Sequence, residues 1–109
     1  FDENTDGRLR YTGTPTINCL FLASASLEID TAIVDKEFGL AIHKNGTLIT
    51  GTKIVGFSPA TTVNSVSLTT FGYASMATND YVSIFVANID SDDNLTVRNA
   101  QVMGLGLTT

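Results

Sequence analysis

Residues 17–29, INCLFLASASLEI, constrain this chain more than any other stretch. Every odd position is apolar: Ile17, Cys19, Phe21, Ala23, Ala25, Leu27 and Ile29. A period of two lines one face of a strand roughly 40 Å long and is incompatible with a helix, whose faces repeat every 3.6 residues. Asn18, Ser24, Ser26 and Glu28 occupy the opposite face and are polar. Leu20 and Leu22 break that rule and place two large apolar groups on the side expected to meet water.

The rest of the chain repeats the pattern in shorter pieces. Residues 37–50, EFGLAIHKNGTLIT, close two apolar runs on Asn45-Gly46, residues that accept the positive φ a two-residue type I′ hairpin turn requires. Phe38, Leu40 and Ile42 then point inward, Ile42 lies opposite Ile49, and His43 lies opposite Leu48. Residues 8–11 read as a short strand with Leu9 and Tyr11 on one face, and residues 51–59 carry Ile54, Val55 and Phe57 into a turn at Pro59. In residues 61–77, Val66 and Leu68 share one parity and Phe71 and Tyr73 the other, so a bulge is expected at Gly72. Residues 81–86 alternate with Val82, Ile84 and Val86 inward and Tyr81 and Phe85 outward. Residues 95–97 and 101–107 close the chain as two further strands, the last interrupted by Gly104 and Gly106. Residues 30–36 and 90–94 read as loops.

About eight short strands with turn signals between them and no helix mean a sandwich or a barrel. We expect an all-β antiparallel β-sandwich, a Greek-key jelly roll. A chain of 109 residues suits one domain, residues 1–109, with residues 1–7 a polar leader that continues an upstream attachment segment. A net charge of −5 with only 16% charged residues excludes the basic face that nucleic acid or an anionic membrane surface needs. No apolar run approaches the ~20 residues of a membrane-spanning helix.

Leu20, Leu22, Phe71, Tyr73, Tyr81 and Phe85 all fall on the parity opposite to the core residues of their own strands. An outward apolar set of this kind is rarely left exposed on a monomer, and Tyr and Phe are enriched in interface cores. These six are the candidate oligomer interface.

Chemistry has little to work with. His43 has no partner at ligand or triad spacing and reads as a surface residue beside a hairpin. The single cysteine, Cys19, cannot form an intramolecular disulfide and reads as a small buried hydrophobe. Asp90, Asp92 and Asp93 offer carboxylates to a cation, but the loop lacks the Gly and closing Glu of an EF-hand, so a solvated loop is favoured. Neither catalytic residues nor a cofactor or metal are assigned, and the chain is not expected to be an enzyme.

Four segments carry a resemblance: LRYTGTPT at 9–16, AIHKNGTLI at 41–49, ATNDYVSIFVAN at 77–88 and NLTVRNAQVMGLGL at 94–107. In this order they resemble the jelly-roll domains of bacteriophage and related viral structural proteins, which are similar in turn to the tumour necrosis factor and complement globular-head fold. Asn79 departs from the pattern, where that family often has Gly, and residues 71–76 are more aromatic than its norm. The resemblance implies a homotrimer in the virion, a capsid decoration protein or head fibre whose partners are itself and a capsid or other virion protein. It also suggests Gly104 and Gly106 as points of close approach near a threefold axis. Two alternatives stay open: a tail-fibre tip binding a host-surface glycan or receptor, and a secreted recognition domain of the complement-head type.

Overall fold

A computed structural model describes residues 1–4, 7–29, 37–57, 65–89 and 95–107. The chain is all-β in these residues, with two antiparallel sheets packed face to face. Nine strands form: β1 (Asp2–Asn4), β2 (Arg8–Arg10), β3 (Ile17–Ile29), β4 (Glu37–Lys44), β5 (Thr47–Leu48), β6 (Ile54–Phe57), β7 (Ser65–Met76), β8 (Tyr81–Asn88) and β9 (Leu95–Gly106). One sheet runs β1-β2-β8-β4, with β5 and β6 sharing the far edge of β4; the other runs β7-β3-β9. The loops expected at residues 30–36 and 90–94, with Asp90, Asp92 and Asp93, lie outside the described residues.

The alternation of β3 builds the core. Cys19, Phe21, Ala23, Ala25 and Leu27 are all buried against the other sheet. One cluster gathers Tyr11, Cys19, Phe21, Ala23, Ile42, Met76 and Val82. A second gathers Ala25, Leu27, Phe38, Leu40 and Leu68. Fully buried side chains such as Phe21 and Leu27 each contribute about 1.5–3 kcal/mol relative to exposure.

The hairpin forms as its turn residues dictate. Asn45 and Gly46 take φ of 50° and 84°, and His43 pairs with Leu48. Beyond Leu48 the chain leaves the ladder before rejoining it at β6, and Thr52 fills the break. Its fully buried hydroxyl accepts from the Ile42 N–H (3.1 Å) and lies 2.8 Å from the Ile49 carbonyl, to which it donates. A side chain thus replaces a missing strand partner, which a buried backbone N–H requires.

The hairpin turn is clasped to the turn before β8. The Asn45 side-chain amide donates to Asp80 Oδ1 (2.9 Å), and its oxygen accepts from the Tyr81 N–H (3.0 Å). Asp80 Oδ2 accepts from the Ala77 N–H and lies 3.2 Å from Lys44 Nζ. Asn79, at φ 71°, occupies the left-handed region, which explains a glycine-like position there. The Asn45 amide, the Ala77 N–H and the Lys44 ammonium hold the Asp80 carboxyl below its ordinary range.

Four expectations are corrected. Residues 1–7 are not simply a leader: Asp2–Asn4 pair with β2, Arg10 grips Asp2 with two hydrogen bonds, and the Phe1 ring lies against Tyr11 and Phe21. Gly72 is not a bulge, because β7 pairs with β3 in unbroken register from Ser65 to Met76. It faces inward, where a Cβ would overlap the Thr52 methyl. The two expected C-terminal strands are one, β9, with a bulge that leaves Arg98 as the extra residue and lets pairing with β3 continue. Gly104 and Gly106 face Phe21 and Ile17 rather than the outer surface, so they accommodate core side chains.

Candidate functional site

The three-stranded sheet presents its outer face in rows set by strand register. Tyr73, Leu20 and Leu105 form one row, and Phe71, Leu22 and Met103 the next. The following rows, Thr69-Ser24-Gln101 and Ser67-Ser26-Asn99, are polar. An outer face that would ordinarily be polar throughout is therefore divided into an apolar band and a hydroxyl- and amide-bearing half.

Phe71, Tyr73, Met103 and Leu105 are 63%, 62%, 60% and 56% exposed; Leu20 and Leu22, on the central strand, are half-buried between them. Taking about 200 Å² per large side chain, the four exposed groups present roughly 500 Å². That lies within the range of the largest apolar patch on a soluble protein, which is often functional. The six band residues carry no charge; among the described residues, the ion pair on this sheet is Arg98–Glu28 (2.7 Å), at the polar end. Covering the band therefore desolvates no ionised group, in a chain whose net charge of −5 otherwise opposes association.

Four of the six sequence-assigned residues, Leu20, Leu22, Phe71 and Tyr73, meet in this band. Tyr81 and Phe85 do not. Both lie on β8, on the outer face of the other sheet. The Tyr81 ring is covered by the Arg8 guanidinium, 4.2 Å from its centroid. Phe85 is 51% exposed and stacks obliquely on His43, with centroids 4.0 Å apart. It borders a shallow groove of about 250 Å³ floored by Gly39, Ala41 and Ala87, with Leu48, Lys53 and Ile89 around it. Shared parity shows that a residue points away from its own strand's core, but not which sheet the strand belongs to. The outward set is thus two patches on opposite faces.

Met103 and Leu105 complete the band and were not assigned from sequence. The signal was present, since residues 101, 103 and 105 alternate with 102, 104 and 106. Glycine at 104 and 106 removed the apolar side chains that would have marked the inward positions.

The remaining candidates sit apart from this band. Cys19 is fully buried, and burial pushes its thiol pKa up, so it stays neutral and unreactive. His43 Nδ1 lies 3.3 Å from the Gly46 carbonyl, within its own hairpin. No group of three or more metal-ligating side chains converges among the described residues. Compared with family models, with curated proteins and with solved structures, the chain matches none.

Proposed function

We propose that this chain is a non-enzymatic structural module that associates with itself, and that it serves as a trimeric jelly-roll protein displayed on a phage particle. The observation that carries the self-association is the uncharged apolar band of Leu20, Leu22, Phe71, Tyr73, Met103 and Leu105. Two copies covering it would remove about 1,000 Å² from water, the lower bound for a specific interface.

The jelly-roll reading draws support from connectivity. Among the described residues, the order β2-β8-β4-β6 facing β9-β3-β7, with the chain passing between sheets at almost every connection, is compatible with an eight-stranded jelly roll without one edge strand. The virion assignment rests on the sequence resemblance alone. Its test is binding of the purified protein to purified phage capsids, with protection of those capsids against heat or chelators. Light scattering should give three times the chain mass at micromolar concentration, and Phe71→Asp should reduce it to one. A monomeric wild type would overturn self-association; a trimer without affinity for capsids would overturn the decoration role. A free protein that binds host cells and blocks infection would instead identify the fibre-tip reading.

A further inference from the structure

The two sheets differ in width, and the mismatch leaves a built opening. β7 packs over β6 and β4, β3 over β4, and β9 over β8. Beyond β8 the larger sheet continues through β2 and β1, where the smaller sheet has no strand among the described residues to cover them. The result is a cleft of about 600 Å³ lined by Leu9 and Ile84 on one side and by residues 100–103 of β9 on the other. Leu9, Ile84 and Val102 belong to the inward parity, yet each is only half-buried. Ala100, also inward by its pairing with Ala25, is exposed.

Along this cleft runs the free edge of β9. Among the described residues, β9 pairs only with β3, so along the cleft, from Asn99 to Gly106, the backbone N–H and C=O groups on its far side have no ladder partner among them. A free edge beside an apolar trough specifies its occupant: an extended strand hydrogen-bonds to the edge while alternate side chains enter the trough. Glu3 adds a charge preference. It pairs with Leu9 across β1 and β2, so its carboxylate shares the inward side, and it lines the cleft with no ion-pair partner among the described residues. A second copy is a poor fit for this edge, because pairing β9 with β9 would drive both overhangs, β2 and β1 of each copy, into one space.

We propose that the cleft accepts one extended strand from a partner protein, paired to β9, with apolar residues at alternate positions and a Lys or Arg facing Glu3. The cleft adjoins the apolar band at Met103, but the strand would pair with the edge of β9 rather than cover the outer face of the sheet.

The probe is a synthetic capped octapeptide, Lys-Thr-Val-Thr-Ile-Thr-Val-Thr, with a control of the same composition that lacks the alternation. Amide hydrogen exchange is read on the whole chain. Millimolar probe should slow exchange at least tenfold at every second amide of β9 between Asn99 and Gly106 and leave β7 unchanged; the control should do neither. Ala100→Trp fills the trough from an exposed position and should abolish the protection without lowering the melting temperature. Glu3→Lys should weaken the probe and favour a variant with Glu in place of Lys. Protection absent from β9, protection found instead on β7, or retention of the effect in Ala100→Trp would overturn the proposal. So would β9 protection in the peptide-free protein that rises with protein concentration and persists in Phe71→Asp, which would identify self-pairing of the edge.

Discussion

Replacing Thr52 by Val should cost about 2 kcal/mol of stability, although the side chain keeps its shape. The Thr52 hydroxyl is the partner of the Ile42 N–H in a site with no solvent exposure. Removing it leaves that donor buried and unsatisfied, a loss of about 1–3 kcal/mol. The Ile49 carbonyl also loses its hydroxyl donor, though as an oxygen with two lone pairs it suffers less. Replacing a hydroxyl by a methyl returns on the order of 0.8 kcal/mol from apolar burial. For a domain of this size a net loss near 2 kcal/mol lowers Tm by roughly 10 °C. In urea the midpoint should fall by about 1 M or more, with the slope unchanged, since the folded surface is the same. The Ile42 amide should also exchange faster relative to its neighbours on β4. A midpoint within 0.3 M, or a stabilised variant, would show that the hydroxyl is not substituting for a strand partner. Thr70→Val probes the next link, the hydroxyl that donates to the Thr52 carbonyl at 2.6 Å. The double variant should lose less than the two single losses together, because both act on one network.

Three other perturbations follow from the turns and the core. Asp80 has a depressed folded pKa, so its contribution is fully present above the ordinary value of 3.8 and disappears as pH falls through the lower folded value. Thermal melts from pH 5 to 2 should therefore show a steeper acid loss in wild type than in Asp80→Asn; parallel curves would refute the clasp. At Asn79, with φ 71°, glycine should hold or raise Tm, whereas the β-branched Asn79→Val should cost about 1–2 kcal/mol by urea titration. Gly72→Ala should destabilise by about 1–3 kcal/mol through overlap with the Thr52 methyl, and Thr52→Ser, which removes that methyl, should recover most of the loss.

The sequence revealed the strands more readily than it revealed their neighbours. β3 was legible to the residue because one face is buried from Cys19 to Leu27, and a period of two has no other explanation there. The hairpin was legible because Asn45-Gly46 fixes register locally. The β9 bulge was not, since Arg98 is an ordinary residue and only its position opposite Ser26 and Leu27 makes it extra. Gly72 was misread for a related reason: the sequence shows a glycine in a strand, but the Thr52 methyl that requires it comes from twenty residues away. At the candidate site, parity identified outward apolar residues correctly and could not distribute them. Phe71 and Phe85 look alike in the chain and face opposite directions in the fold. Strand partnership, which separates them, is a long-range property without a local signature. In the segments 41–49 and 77–88, Asn45 and Asp80 serve a definable task, the clasp between two turns.

The layout of the band also limits how copies can close on one another. A twofold contact places the same patch on both copies, whereas a threefold ring must join two different surfaces of neighbouring copies. The band supplies two such surfaces. Its β7 side is aromatic, with Phe71 and Tyr73, its β9 side carries Met103 and Leu105, and Leu20 and Leu22 lie between them. In a ring centred on β3, the aromatic side of one copy meets the thioether and aliphatic side of the next, a pairing that sulfur–aromatic contact favours. Phe71→Asp and Met103→Lys should each dissociate the assembly, and the double variant should restore it, because residue 71 of each copy then faces residue 103 of its neighbour. A restored mass of three chains supports the ring, and a restored mass of two identifies a twofold pair. Failure of the double variant to reassemble would mean that like sides meet. Phe85→Asp, on the opposite sheet, should leave the mass unchanged in every case; dissociation by that variant would place the interface on the other face of the sandwich.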